Sequence, residues 1–571
     1  MLWRRLASRL WQTHGQTLGE QARSLEGSRL RLPGAASSAP PSSLSCEHEQ
    51  QGETRKIMSR ATLVATISSL SHRSDTLNGT DWKSADWLEI RADLMPDPDP
   101  ITFRSAFNGR LLYSLRSGSQ GGGDDSSNGA RHRRLRGAAG VYDLVELEGD
   151  RDLVPELLSR IAPERRVISW RGEVRDEQAL QQLLQVFSRT GARLYRFEVG
   201  CASVEEGITA LQFLHHARRS DIVAYAPGPL GLWTRILAPR LGAPIVFGGL
   251  TDECEVGTGG LLSELVHDYG FPEFHPVNEI YAIVGKPIAR SLSPRLHNAA
   301  HRASGTGRLF LSFPTQAFGR LWGRLVSSGN LEAMGLTIKG LTVASPHKES
   351  ALEVSGRAAP LCSQCKATNL LVRQNGTWTA FTTEPEGVLY DAIFRRIDLT
   401  RARVAVVGCG GSGRVTAAVL AQAGAEVTLV NRGIDRGSWA GRLLGLRFIP
   451  LKEFSPRGYS VLVNATPVGR AGEELPMDLD RLDPGSLVVD MVYSNRGNTP
   501  LVAVSRALGH QVIDGRKVLL AQTMQQYNLM TGEQMPEGLA RRLLELPVTG
   551  NGPVESFHLD RTNANAKAEP C

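Results

Sequence analysis

Lysine is missing from a long stretch of this chain. There is none between Lys83 and Lys286, although arginine recurs throughout. Chemistry that needs an amine able to lose its proton is thereby excluded from that stretch, because a guanidinium stays protonated. No apolar run approaches the ~20 residues of a spanning helix, so no membrane segment is expected. Seven cysteines, scattered and odd in number, argue against a disulfide framework. Cys362-x-x-Cys365 has no second Cys/His pair at zinc spacing; it reads as reduced thiols in a helix, and no metal site is expected. The net charge of +7 comes mostly from dispersed arginine, which suits anionic small molecules at least as well as nucleic acid. The one dense basic run, 131–136 (RHRRLR), follows a Gly/Asp/Ser-rich segment and reads as a solvated loop rather than a phosphate-tracking patch. A small-molecule partner is expected, with no nucleic acid and no membrane; oligomeric state is not legible.

At 571 residues the chain is too long for one core, so several domains are expected. Residues 1–57 are rich in Arg and Ser and poor in acids, with a low-complexity stretch at 33–45. Three readings stand for them: an organellar targeting segment, a disordered tail, or upstream sequence ahead of a start at Met58. Apart from such targeting, a cytoplasmic location is expected. Residues 549–571 read as a disordered tail.

The strongest local pattern is 404–432, VAVVGCGGSGRVTAAVLAQAGAEVTLVNR. An apolar strand runs into Gly408, Gly410, Gly411 and Gly413, then an Ala/Leu-rich helix, then a second apolar strand ending at Asn431-Arg432. This is a βαβ unit opened by G-x-G-x-x-G, whose backbone N–H groups and helix N-terminus hold a pyrophosphate. An acidic residue closing the second strand would take the ribose hydroxyls of NAD. Asn431, Arg432 and Arg436 instead offer donors for a 2′-phosphate, which points to NADP.

From Ala61 to about 275, short apolar strands alternate with helical stretches: TLVATIS, WLEIRADL, RLLYSLRS, DLVELE, RVISW, RLYRFEV, DIVAYAP and PIVFGGL. Eight such repeats are the count of a (β/α)8 barrel, with Glu89, Arg91, Arg116, Glu146, Glu148 and Arg235 toward strand C-terminal ends. EIRAD, SLRSGSQGG and GPLGLWTR make this region resemble the type I 3-dehydroquinate dehydratases. The resemblance implies ligand-binding roles for Glu89, Arg91, Arg116 and Arg235, the arginines gripping a carboxylate. That family works through a Schiff-base lysine assisted by a histidine. Arg196 stands at the matching lysine position and Arg171 at the histidine position, and Gly260 replaces the lid glutamine. Neither arginine supports imine chemistry, so dehydratase activity is not expected and the site is read as vestigial.

From about 278, the strand at Tyr281 leads into GKPIARSLSPRLHNAA, with Ser291 and Ser293 at a strand-to-helix turn. Then come GLTVASPHKES with Lys348, ATNLL with Asn369, and FTTEPEG with Glu384. Beyond the glycine motif lie NATPVG with Thr466, VVDMVYS with Tyr493, and DGRKVLLAQTMQQYNLMTG with Gly515 and Gln522. Together these resemble the shikimate dehydrogenases, which reduce 3-dehydroshikimate with NADPH. The resemblance implies that Lys348 and Glu384 are catalytic and that Ser291, Ser293, Asn369, Gln522 and Tyr493 bind substrate. It places Gly408, Gly410, Gly411, Gly413, Arg414, Asn431, Arg432, Arg436, Thr466 and Gly515 with NADP. Independently of it, hydride arriving at a ketone leaves alkoxide charge, and a lysine beside a carboxylate supplies the cation and the proton. The chain departs from the family pattern at Glu384 (Asp), at Ala344 (Thr) and at Arg290 (His).

The expected architecture is α/β. A barrel over 58–275 is followed by a substrate-binding lobe over 278–400, a Rossmann lobe over 401–520, and a C-terminal helix over 521–548 packing on the substrate lobe. The expected function is NADP-dependent shikimate dehydrogenase in the shikimate and chorismate pathway, fused to a degenerate dehydratase. Two other readings stand beside it: a non-catalytic quinate or shikimate sensor, as in repressor-like proteins, and a quinate dehydrogenase.

Overall fold

The computed structural model describes residues 60–69, 81–95, 98–250, 260–394, 398–470, 472–494 and 497–547. The expectations for 1–57 and 549–571 lie outside these residues, as does most of the lid stretch ahead of Gly260. The first region is eight parallel strands: β1 (Thr62–Ile67), β2 (Trp87–Arg91), β3 (Arg110–Ser114), β4 (Leu144–Glu148), β5 (Arg166–Gly172), β6 (Leu194–Val199), β7 (Ile222–Tyr225) and β8 (Ile245–Gly249). Their order, β7-β6-β5-β4-β3-β2-β1-β8, makes a nearly closed barrel whose hydrogen-bonded ladder is interrupted between β7 and β8. Strands covered by helices outside and side chains inside are buried on both faces, and every residue of β4, Glu146 and Glu148 included, is buried.

One expectation fails here. The run 131–136 is not a solvated loop but part of the helix Asn128–Val141, which Ser127 caps through the Ala130 N–H. Arg131 is fully buried; it pairs with Asp152 at 2.7 Å and Asp124 at 2.9 Å, and donates to the Leu115 carbonyl. A basic run looks solvated only until distant carboxylates are brought to it.

The second sheet has the order β10-β9-β11-β13-β14-β12. Its strands are β9 (Glu279–Gly285), β10 (Arg308–Pro314), β11 (Thr337–Val343), β12 (Arg357–Ala358), β13 (Leu370–Gln374) and β14 (Thr377–Phe381). The third comprises β15 (Arg403–Val407), β16 (Glu426–Asn431), β17 (Arg447–Pro450), β18 (Val461–Asn464), β19 (Leu487–Asp490) and β20 (Gln511–Ile513). All parallel, they run β17-β16-β15-β18-β19-β20, the doubly wound order of a dinucleotide-binding fold. The cysteine pair lies in the helix Pro360–Cys365 with both thiols free.

The helix Gly515–Thr531 crosses between these two sheets. It begins at Gly515 rather than near 521 because Asp514 caps it, accepting from the Arg516 and Lys517 N–H groups. Leu520 and Tyr527 on it pack with Leu296 and Ala300 of the helix Ser293–Ser304, tying the chain's end to the second sheet. The barrel is joined to the same sheet by one continuous apolar core, which includes Ile280, Leu309, Phe313 and Leu341 beside the barrel's own residues. At that joint Trp233 meets Phe313 edge-on at 5.5 Å, and Arg320 donates to buried Glu205 at 2.7 Å. No helix among the described residues is long and apolar enough to cross a membrane.

Candidate active site

The cleft between the second and third sheets is organised by the turn after β15. Gly408 has φ +106, and a Cβ there would lie 2.9 Å from Ala465 backbone atoms. A Cβ on Gly413 would lie 1.8 Å from the Gly408 carbonyl oxygen. The turn is therefore closed to side chains at both positions. The helix Gly411–Gln422 starts immediately after it, so its first N–H groups lack intrahelical acceptors, the arrangement that suits an anion. Asn431 steadies the turn by accepting from the Cys409 N–H at 3.1 Å, and Thr466, folded onto the Asn464 carboxamide, walls one side.

Lys348 opens the helix Lys348–Glu353 immediately across from this turn. Its stem passes over Gly411, where an added Cβ would lie 3.0 Å from Lys348 Cδ. Its ammonium donates to Glu384 and, at 2.5 Å, to Ser412 Oγ; Ser412 Oγ in turn donates to Glu384 Oε1 at 3.1 Å. Thr382 donates to the other oxygen of Glu384. Burial works against the Glu384 charge, yet Lys348 beside it, with hydrogen bonds from Lys348, Thr382 and Ser412, holds its carboxyl below the ordinary range. The result is an ionised carboxylate, 2 % exposed, gripping a lysine that is 14 % exposed.

Asn369 and Thr383 form a reciprocal pair: Asn369 Nδ2 donates to Thr383 Oγ1 at 3.0 Å, and Asn369 Oδ1 accepts from the Thr383 N–H at 2.9 Å. Gln526 donates to the same hydroxyl at 3.1 Å and accepts from Thr342. Gln522, one turn earlier, lies against Gly387, where any side chain would strike it. Ser293 is buried and its N–H donates to Ser291 Oγ at 3.3 Å; Tyr493, from beyond β19, accepts from the Leu292 N–H at 3.5 Å and so spans the cleft. Gly515 passes so close to the Val492 carbonyl that a Cβ would lie 2.1 Å from it. A cavity of about 470 Å³ opens beside the serine turn; Ser291, Arg295 and Arg516 line it, and Lys348 and Glu384 do not.

The basic residues near the glycine turn differ in what they face. Arg414 is fully buried, its guanidinium donating to the carbonyls of Cys365, Lys366 and Cys409 and to Glu349 at 2.8 Å. Arg436 pairs with the same Glu349 at 2.9 Å. Arg432 is exposed and has no ion-pair partner among the described residues. Ser412, Thr382, Glu349 and Gln526 were not expected from the sequence. Ser412 alone had a local signal there, as a hydroxyl inside the glycine motif.

In the barrel, the four residues expected to hold a ligand are not one open site. Glu89 accepts from Arg196 at 2.6 Å, Arg116 at 3.0 Å and Thr66 at 2.7 Å. Arg196 also reaches Glu198 at 2.8 Å and stacks 3.6 Å from the Phe247 ring centre. Arg171 pairs with Glu146 and, at 3.1 Å, with Glu198. Arg91 is held bidentately by Asp93, outside this cluster. Arg235, fully buried, donates to the Phe247 carbonyl and stacks on Tyr225, with Nε and Nη2 making no hydrogen bond among the described residues. Burial opposes the charge on Glu89 and Glu146, but the adjacent arginines win: Glu89 stays well below the carboxylate range, and Glu146 falls to about 2 under Arg171 and Arg196.

Comparison with known proteins agrees with both halves. The family profile described as type I 3-dehydroquinase matches residues 63–284, and that described as shikimate dehydrogenase substrate binding domain matches 283–371. The bifunctional 3-dehydroquinate dehydratase/shikimate dehydrogenase, chloroplastic, of Arabidopsis thaliana is 25 % identical over 490 residues, covering 80 % of this chain and 79 % of that protein. The shikimate dehydrogenase (NADP(+)) of Citrifermentans bemidjiense is 32 % identical over 289 residues, covering 48 % of this chain and 97 % of that protein. Among solved structures, shikimate 5-dehydrogenase from Thermus thermophilus in complex with NADP(H) and shikimate is 28 % identical with a TM-score of 0.41, covering 47 % of this chain and 98 % of that one.

Proposed function

The chain belongs to the shikimate dehydrogenase family, with a type I 3-dehydroquinase domain fused ahead of it, and on that premise we propose that it reduces 3-dehydroshikimate with NADPH while its barrel performs no dehydration. The observation that carries the reading is the Lys348–Glu384 pair lying directly against the glycine turn. When bound, the dihydronicotinamide supplies the hydride. The chain's own residues do the rest. Ser291 and Ser293 bind the substrate carboxylate, and Asn369 and Gln522 bind ring hydroxyls. Tyr493 closes the cleft over them. Lys348 donates its proton to the ketone oxygen as alkoxide charge develops, and Glu384 holds it in place. The closed turn at Gly408 and Gly413, with the amides of the following helix, fits a pyrophosphate, and exposed Arg432 with Arg436 fits a 2′-phosphate.

For the barrel, Arg196 occupies the position where the family carries its Schiff-base lysine. Its guanidinium cannot form an imine, and it is locked between Glu89 and Glu198. Two assays on the full chain test the pair of statements. NADPH should be consumed with 3-dehydroshikimate, and 3-dehydroquinate should persist without forming the conjugated enone. Enone formation would refute the inactive barrel, and no NADPH consumption would refute the reductase.

A further inference from the structure

We propose that Ser412 is a positioning residue that ties the nucleotide turn to the proton donor; the inference rests on the reading of Lys348 given above. Ser412 occupies the second residue of the helix Gly411–Gln422, so its backbone N–H belongs to the unpaired first turn that meets a pyrophosphate. Its side chain faces the other way chemically. Oγ accepts from Lys348 Nζ at 2.5 Å and donates to Glu384 Oε1 at 3.1 Å. Since Lys348 also donates to Glu384, the three groups close a ring in which each member fixes the other two.

The ring has a mechanical consequence. Lys348 has a long stem with several rotatable bonds, and Glu384 is one methylene longer than an aspartate; two flexible groups alone define a position loosely. The hydroxyl of Ser412 is anchored by the shortest of stems to the first turn of a helix. Gly411 beside it leaves space that the Lys348 stem runs along: a Cβ there would lie 3.0 Å from Lys348 Cδ. Lys348 is thus registered against the same turn that registers the dinucleotide, so hydride source and proton source share one reference frame. The hydroxyl itself neither transfers a proton to substrate nor carries the cofactor's charge.

The test compares Ser412→Ala, Ser412→Thr, Lys348→Ala and the Ser412→Ala/Lys348→Ala double variant of the full chain, by steady-state kinetics and NADPH fluorescence titration. Ser412→Ala should lower kcat roughly tenfold or more, leaving the Kd for NADPH within about threefold. Ser412→Thr should recover most of the loss. In the Lys348→Ala background the Ser412→Ala change should cost nothing further, because the group it positions is gone. Three outcomes would overturn the proposal: wild-type kcat in Ser412→Ala, a loss confined to NADPH affinity, or an undiminished effect in the double variant. Wild-type turnover in Lys348→Ala alone would instead refute the underlying assignment of the proton donor, which keeps the two failures apart.

Discussion

Replacing Glu89 by glutamine removes one negative charge from the centre of the barrel with almost no change of shape. In the folded chain, Arg116, Arg171 and Arg196 are ion-paired with Glu89, Glu146 and Glu198, and Glu89 accepts from two of those arginines. After the change, three ion-paired buried cations face two carboxylates. Breaking a buried pair by removing one partner costs about 3–5 kcal/mol, because the remaining charge is left unpaired out of water. At about 2–4 °C per kcal/mol for a domain of this size, the barrel's melting temperature should fall by roughly 6–20 °C. The assay is a thermal melt of the full-length Glu89→Gln protein, with dehydrogenase turnover measured at 25 °C as control. Turnover should stay within about twofold, since Glu89 takes no part in the reductase cleft. A melting temperature within about 2 °C of the parent would refute the claim that these arginines are held by internal ion pairs rather than kept open for a ligand.

The same cluster fixes a pH dependence. Its carboxylates are depressed in the folded state, Glu146 to about 2, so their stabilisation is complete above the unfolded value of about 4.3 and is lost as pH falls toward the folded one. The barrel should therefore hold at pH 5 and lose stability progressively below about pH 4; a barrel transition already complete at pH 5 would contradict it. Lys348→Ala should reduce hydride transfer about 10²–10⁴-fold with NADPH binding intact, and equal loss of both would remove its role as proton donor. Arg432→Asp should raise the KM for NADPH at least tenfold while barely affecting NADH, and a parallel effect on both would sink the 2′-phosphate assignment. Arg196→Lys should yield no dehydratase activity, because Arg171 still stands where a histidine is needed; measurable enone formation in that variant would show the barrel to be one substitution from function.

The eight barrel strands were legible because each is a short apolar run bounded by turns. The nucleotide turn was legible because its glycines leave a fixed spacing. Lys348 and Glu384 could be paired from the motifs that carry them, 36 residues apart. What could not be read is what depends on distant partners. The Glu89–Arg196 bond spans 107 residues of sequence, and nothing local to either residue announces it. Arg131 looked solvated because Asp152, its partner, lies 21 residues away in the sequence. Arg414 sits in the glycine motif, yet its guanidinium is taken up by Glu349 and by carbonyls of the helix Pro360–Cys365 and its neighbours, contacts set by how the lobes meet.

Hydride transfer between a nicotinamide and a cyclic hydroxy acid is the reaction proposed for the cleft between the second and third sheets. Absorbance at the reduced-nicotinamide band, with purified protein, NADP+ and either shikimate or quinate, and NAD+ as control, tests it directly. Absorbance should grow with shikimate and NADP+, and far less with NAD+. No growth with either acid, from protein shown separately to bind NADPH, would contradict it and leave a ligand-binding protein in place of an enzyme.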